Sequence, residues 1–337
     1  MEYRRFGRMG LMISPLGFGS WPMSGEDRYG AIEDVEAIRA IHRALDAGVN
    51  IVDSAAGYGW GHAEEVVGQA LVGHRQRVIL VTKCGLVLEP GKPTAWRDIS
   101  PAGIHRQVEE SLRRLRTDVI DVYLIHWPAD TTPLDEAFAA MDELVRAGKV
   151  RFVGVSNFTV EQMERCRVVR PIDVVQVGYH LFDRRMEREV FPYCEKHQIG
   201  VMGYGSLAHG LLTGTFTAET RFDEKDWRAG GVAFGQPLFK PENLRRNVAV
   251  VERLVREVAV PRQTPVSQIA LAWVLRNSAI STALVGARNP GEVEQNLVGI
   301  DLKLTDAEVT KIEEIMQDAA GTVQAFTPLR SALVEWE

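Results

Sequence analysis

Four residues of different chemistry stand where apolar runs stop. Asp53 follows Ile51-Val52, Lys83 closes ILVTK, His126 follows VYLI, and Tyr58 sits in the glycine-rich turn after Asp53. Alone, each has an ordinary structural use: a strand-end Asp caps a turn, a Lys is solvated, a His beside Trp127-Pro128 packs, and a loop Tyr stacks on a surface. On one rim they become a proton-handling set. A phenol, with an ordinary pKa of about 10, gives or takes a proton when a cation stabilises its phenolate. Lys83 can supply that cation, Asp53 can hold the ammonium, and His126 can donate a hydrogen bond that positions a substrate oxygen. Such a set suits carbonyl reduction, in which hydride attacks carbon while the oxygen needs a proton. None of the four is an electron source, so an external hydride carrier is required.

A shared rim requires a fold that collects strand ends. Eight Val/Ile-rich runs are apolar on both faces, as buried parallel strands are: ISPLGFGSW, GVNIVDSA, RVILVTKCG, VIDVYLIHW, VRFVGVSNF, DVVQVGYH, IGVMGYGS and ISTALVGAR. Between them lie helical patterns such as EDVEAIRAIHRALDAG, HAEEVVGQALVGH, RMEREVFPYCEKH and NPGEVEQNLVG. Several end in Gly followed directly by a strand, a C-cap signal, and Thr159 and Thr305 read as N-caps. The alternation predicts an α/β fold of the (β/α)8 TIM-barrel class. An open doubly wound sheet fits less well, because GFGSWPMSG after the first strand lacks GxGxxG spacing. No linker or composition shift divides the chain, so residues 1–337 are expected to form a single domain. MEYRRFGRMGLMIS reads as an N-terminal β-hairpin with Gly7 and Gly10 near its turn. Residues 213–241 form a long connection of the kind used as lids or binding loops. Two extra helices follow from ENLRRNVAVVERLVREVAV and TDAEVTKIEEIMQ, and DAAGTVQAFTPLRSALVEWE has no readable pattern.

In such a barrel the functional face lies at the C-terminal strand ends. Ser156-Asn157 end the fifth strand, Gln176 lies in the sixth and Tyr204 ends the seventh. With Trp21, Trp60 and Trp127 nearby, the rim describes an apolar pocket with few polar groups.

Composition narrows the partners. The 337 residues are 45% hydrophobic and 25% charged with a net charge of −6, and no Lys/Arg cluster offers a face for nucleic acid. The start is too charged and too broken by Gly and Pro for a secretory signal, and no apolar run approaches the ~18 residues of a membrane helix. Three scattered cysteines, Cys84, Cys166 and Cys194, suit a reducing cytoplasm and packing roles. No His/acid cluster has ligand-like spacing, so no metal is expected.

The motifs together resemble the aldo-keto reductases over nearly the whole chain: YRRFGRMGLMISPLGFGSW, DSAAGYGWGHAEEVVGQAL, VTKCG, LIHWP, VGVSNF, VVQVGYHLF, GYGSLAHGLLTG and LVGARNPGEVEQNL. Asp53, Tyr58, Lys83 and His126 match that family's catalytic tetrad in order and strand position. The resemblance implies a nicotinamide dinucleotide bound without a Rossmann motif and direct hydride transfer to or from a carbonyl carbon. It assigns Ser156, Asn157 and Gln176 to the nicotinamide carboxamide and Tyr204 to stacking on the ring. Ser206 and Leu207 fall in the pyrophosphate turn, and Gly286, Arg288, Gln295 and Asn296 at the adenosine end, with Arg288 the candidate partner of a 2′-phosphate. Two departures stand out. Gly205-Ser206-Leu207-Ala208-His209 replaces a more usual Ser-Pro-Leu-Gly-Arg, removing an arginine, and Glu292 stands where many mammalian-type members carry Arg. ETRFDEKDWRAGG resembles the cofactor-covering loop of the bacterial stress-protein and potassium-channel β-subunit branch.

The expected function is therefore NADP(H)-dependent reduction of an aldehyde, ketone or sugar carbonyl, with NAD(H) possible and Tyr58 as proton donor. A sugar or polyol dehydrogenase is the same tetrad run in reverse. A nucleotide-sensing regulatory subunit is the alternative of a different class.

Overall fold

The computed structural model describes residues 1–24, 32–87, 95–323 and 333–334. A two-stranded antiparallel hairpin, β1 (Arg4–Arg5) and β2 (Met12–Ile13), precedes the barrel, as the N-terminal pattern predicts. Then β3 (Leu16–Gly19), β4 (Ile51–Asp53) and β5 (Ile79–Cys84) begin a parallel sheet. The chain leaves it through a small antiparallel pair, β6 (Leu86–Val87) and β7 (Ala95–Arg97). It then completes the sheet with β8 (Ile120–Ile125), β9 (Val150–Ser156), β10 (Val174–Gly178), β11 (Gly200–Tyr204) and β12 (Ile280–Gly286). β12 pairs with β3, which closes the eight strands into a barrel. All eight strand-like runs of the sequence are barrel strands.

Helices surround the sheet: α1 (Asp34–Asp46), α2 (His62–Ala70), α3 (Pro101–Leu115), α4 (Leu134–Arg146), α5 (Val160–Arg167), α6 (Val190–His197), α7 (Pro241–Leu254), α8 (Val266–Arg276), α9 (Pro290–Val298) and α10 (Asp306–Met316). α7 and α10 are the two additions outside the repeat. Thr159 and Thr305 each cap their helix by accepting from the third backbone N–H, and Gln162 and Glu308 reach back to complete capping boxes. α6 begins five residues later than its pattern suggests. Asp183 draws the Arg185 backbone N–H (3.3 Å) and guanidinium (2.8 and 2.7 Å) into a turn. Starting at Val190 also keeps Pro192, which has no N–H to donate, within the first helical turn.

Period-two alternation within the strands builds the site. Ile51, Ile79, Val81, Val122, Leu124, Val174, Met202 and Leu284 point into the barrel and form its interior core with Phe6 and Ile13 of the hairpin. The alternate residues, such as Val52, Leu80 and Val175, pack outward against the helices. One step further along each inward row come Asp53, Lys83, His126, Gln176 and Tyr204. The floor is closed by the hairpin, where Gly7 adopts φ +54° and a Cβ would lie 2.5 Å from the Gly200 nitrogen. The hairpin plugs one end of the barrel, and the polar residues that follow the inward rows line a cavity at the other, C-terminal end.

β13 (Leu333–Val334), inside the stretch without readable pattern, pairs with β7 and so brings the C-terminal chain beside the β6–β7 excursion. The rest of that tail lies outside the described residues. Among those described, no helix is long and apolar enough to cross a membrane.

Candidate active site

Lys83 is 1% exposed and Asp53 3%, yet both are charged groups with partners. The ammonium lies 2.8 and 3.0 Å from the two Asp53 carboxylate oxygens and 2.6 Å from the Ser54 carbonyl. It also lies 3.3 Å from the Tyr58 hydroxyl. Gln176 donates to the Asp53 Oδ1 at 2.7 Å. Two of these residues come from adjacent strands in register, since Asp53 pairs with Val81, two residues before Lys83. Tyr58 is aimed by the turn after β4. There Gly59 adopts φ +57° and a Cβ would fall 1.7 Å from the Ser24 carbonyl oxygen, so only glycine brings the loop this close.

Burial is the largest influence on every titratable group here. It pushes the Asp53 carboxyl up and the Lys83 ammonium down, and their mutual attraction opposes both shifts. The Tyr58 phenol is pushed well above 10, by burial and then by the Asp53 charge. His126, 8% exposed, is pushed well below 6.5 by burial, Lys83 and Arg97. The sequence-based expectation that Lys83 stabilises a phenolate is therefore offset: its charge faces Asp53, and Tyr58 rests as a neutral phenol. An ammonium has no lone pair, so the Tyr58 oxygen can only accept from it. The hydroxyl hydrogen stays available to a group in the cavity. His126 stands beside it, ring centroids 5.7 Å apart and nearly perpendicular. A neutral imidazole and a neutral phenol form a pair of donors suited to an oxygen that gains negative charge.

The residues expected at the nicotinamide form one connected set on the same cavity. The Tyr204 hydroxyl donates to Asn157 Oδ1 (2.8 Å), and Asn157 Nδ2 donates to Ser156 Oγ (3.0 Å) and to the His126 carbonyl (3.1 Å). Beyond Tyr204 the turn curls through positive φ at Gly205, Ala208, His209 and Gly210, a shape whose N–H groups can converge on an anion. Leu207 lines it. Ser206 also lies on the cavity, but its hydroxyl turns inward to the Gly203 and Leu284 carbonyls. His209 is pushed well below 6.5 by burial and His180, so it does not replace the cation of the missing arginine. Gly286, Arg288 and Glu292, at and just after the end of β12, also line the cavity. Gln295 and Asn296, on α9, are not on the cavity wall; Asn296 Nδ2 reaches the Gly286 carbonyl at 3.5 Å. Amide, hydroxyl and curled backbone groups in this sequence fit a nicotinamide dinucleotide. Among the described residues no His/Cys/Asp/Glu cluster could hold a metal ion.

Trp21 and Trp127 line the same cavity. Trp60 does not. Its φ of +53° turns it outward and leaves it 40% exposed, off the cavity wall. A further aromatic on the cavity is Phe234, from the 213–241 connection, which sequence reading did not single out. It lies parallel to Trp127 (6.3 Å, 7°), stacks on His209 (5.0 Å) and meets Tyr204 edge-on (5.3 Å). Half-buried Arg185, paired with Asp183, donates to the Phe234 carbonyl at 3.2 Å and fixes that position.

The sequence profile of the Aldo/keto reductase family matches residues 15–317. The chain belongs to the aldo-keto reductase family. Among solved aldo-keto reductases, the glycerol dehydrogenase AKR11B4 from Gluconobacter oxydans is 36% identical, with a TM-score of 0.85 over 97% of this chain and 99% of the other. An aldo-keto reductase from Klebsiella pneumoniae in complex with NADPH is 30% identical, with a TM-score of 0.74 over 98% and 99% of the two chains. The NADH-specific methylglyoxal reductase of Escherichia coli (strain K12) is 32% identical over 92% of this chain and 97% of its own. Membership makes the chain an oxidoreductase acting on carbonyl groups.

Proposed function

We propose that this aldo-keto reductase reduces a small aldehyde or ketone to the alcohol at the expense of NADP(H), with NAD(H) also accepted, and that Tyr58 delivers the proton. The observation that carries the reading is the Lys83–Tyr58 contact at 3.3 Å, beside an Asp53 that neutralises the ammonium. A bound nicotinamide dinucleotide supplies the hydride. Lys83 fixes the phenol oxygen so that its hydrogen faces the cavity, and His126 donates to the same carbonyl oxygen. Ser156, Asn157 and Gln176 would hold the carboxamide, and Tyr204 would stack on the ring. Arg288 would meet the adenosine end, and Trp21, Trp127 and Phe234 would exclude water around the carbonyl.

The Gluconobacter glycerol dehydrogenase and the methylglyoxal reductase both carry names of small oxygenated three-carbon compounds, which favours a compact polar carbonyl as substrate. The first name also supports a second reading, polyol oxidation by the same residues in reverse. A panel of short aldehydes, ketones and polyols, followed at the nicotinamide absorbance with each dinucleotide in both directions, decides between them. Absence of turnover with every member would overturn the enzymatic reading.

A further inference from the structure

Arg288 and Glu292 line the same cavity as Tyr58 and His126. Their contact is more than an ordinary i,i+4 surface pair. Glu292 Oε1 accepts from Arg288 Nε at 2.9 Å and from Nη2 at 2.7 Å, and Oε2 accepts from the Arg288 backbone N–H at 2.8 Å. The carboxylate therefore covers one whole edge of the guanidinium plus the adjacent amide. Asn289 holds the arrangement by capping α9, its Oδ1 accepting from the Glu292 N–H at 3.0 Å. A guanidinium edge with a neighbouring N–H is also what a phosphate monoester would engage, because both anions present paired oxygens to the planar fork.

We propose that Glu292 is a built-in competitor for the 2′-phosphate of the dinucleotide and so sets cofactor choice in this protein. The inference rests on the reading that this cavity binds a nicotinamide dinucleotide. NADPH must displace the carboxylate from Arg288 and then lie beside its charge. NADH displaces nothing, and its 2′-hydroxyl can donate to Glu292, the pairing by which acidic residues recognise an unphosphorylated ribose. The Arg288 side chain is 52% exposed, so the pair is screened by water and breakable. Glu292 therefore narrows the preference between the two cofactors rather than forbidding one.

Dissociation constants for NADPH and NADH, measured by quenching of tryptophan fluorescence without substrate, test this on the parent, Glu292→Gln and Arg288→Ala. Trp21 and Trp127 on the cavity wall supply the signal. Glu292→Gln is expected to tighten NADPH roughly five- to tenfold, the size of one nearby like charge removed in high dielectric, and to change NADH by less than about twofold. Arg288→Ala is expected to weaken NADPH by about tenfold or more while sparing NADH. If both cofactors bind but Glu292→Gln leaves their ratio within about twofold of the parent, Glu292 is not the selector. If the parent binds neither dinucleotide, the cofactor reading falls and takes this inference with it.

Discussion

Gln176 donates its side-chain amide to Asp53 Oδ1 at 2.7 Å, so a residue expected at the nicotinamide also braces the ion pair that positions the proton donor. The carboxamide site and the proton site share a hydrogen bond. A change at one should therefore be felt at the other.

Gln176→Glu makes that coupling measurable. A carboxylic acid keeps the donor to Asp53 at low pH, whereas its ionised form puts a second negative charge against the first. Two buried carboxylates in contact raise the pKa of one of them. Turnover of Gln176→Glu should be nearest the parent at acidic pH and fall as pH rises through that raised pKa, while the parent profile stays flat there. Identical profiles for variant and parent would mean that Gln176 does not act through Asp53.

Lys83→Met leaves the Asp53 carboxylate buried with Gln176 as its remaining side-chain donor. Removing one partner of a buried ion pair costs about 3–5 kcal/mol, because the other charge is stranded. Urea unfolding should show a loss of that order, partly restored in the Lys83→Met/Asp53→Asn double variant. Carbonyl reduction should be lost in both. A single variant as stable as the parent would show that the pair is not desolvated as described.

Burial and the Asp53 charge push the Tyr58 phenol well above 10, which sets the direction of the pH dependence. Reduction needs the protonated phenol and should hold steady from neutral into alkaline pH, declining only as that raised pKa is approached. Alcohol oxidation needs the phenolate, a minor species at neutral pH, and should climb steadily as pH rises. His126, held neutral, should add no break near its ordinary pKa of about 6.5. Rate profiles of kcat in the two directions check this, and an oxidation rate that falls with pH would contradict it.

The fold and the polar rim were legible because the barrel obeys strand alternation. Asp53, Lys83, His126, Gln176 and Tyr204 each follow an inward apolar row, so knowing where the row stops places the side chain. Trp60 was misplaced for the opposite reason: its direction depends on positive φ at Gly59 and Trp60, which no periodicity records. Phe234 comes from a connection without repeat, and its place depends on Arg185 reaching its carbonyl from another loop. The Ser206 hydroxyl could not be read as facing inward, since its acceptors on Gly203 and Leu284 are tertiary neighbours. Arg288 and Glu292 were visible as opposite charges four residues apart. That the carboxylate would cover the guanidinium edge needed the Asn289 cap geometry.

The most direct measurement is transient reduction of a short aldehyde by Tyr58→Phe, alongside NADPH affinity of the same variant. Phenylalanine keeps the ring beside His126 and removes only the hydroxyl. The expected result is a loss of about a thousandfold or more in the rate of carbonyl reduction, within the range a positioned proton donor contributes, with NADPH affinity changed less than about twofold. A Phe variant that keeps substantial carbonyl reduction would contradict Tyr58 as the proton donor.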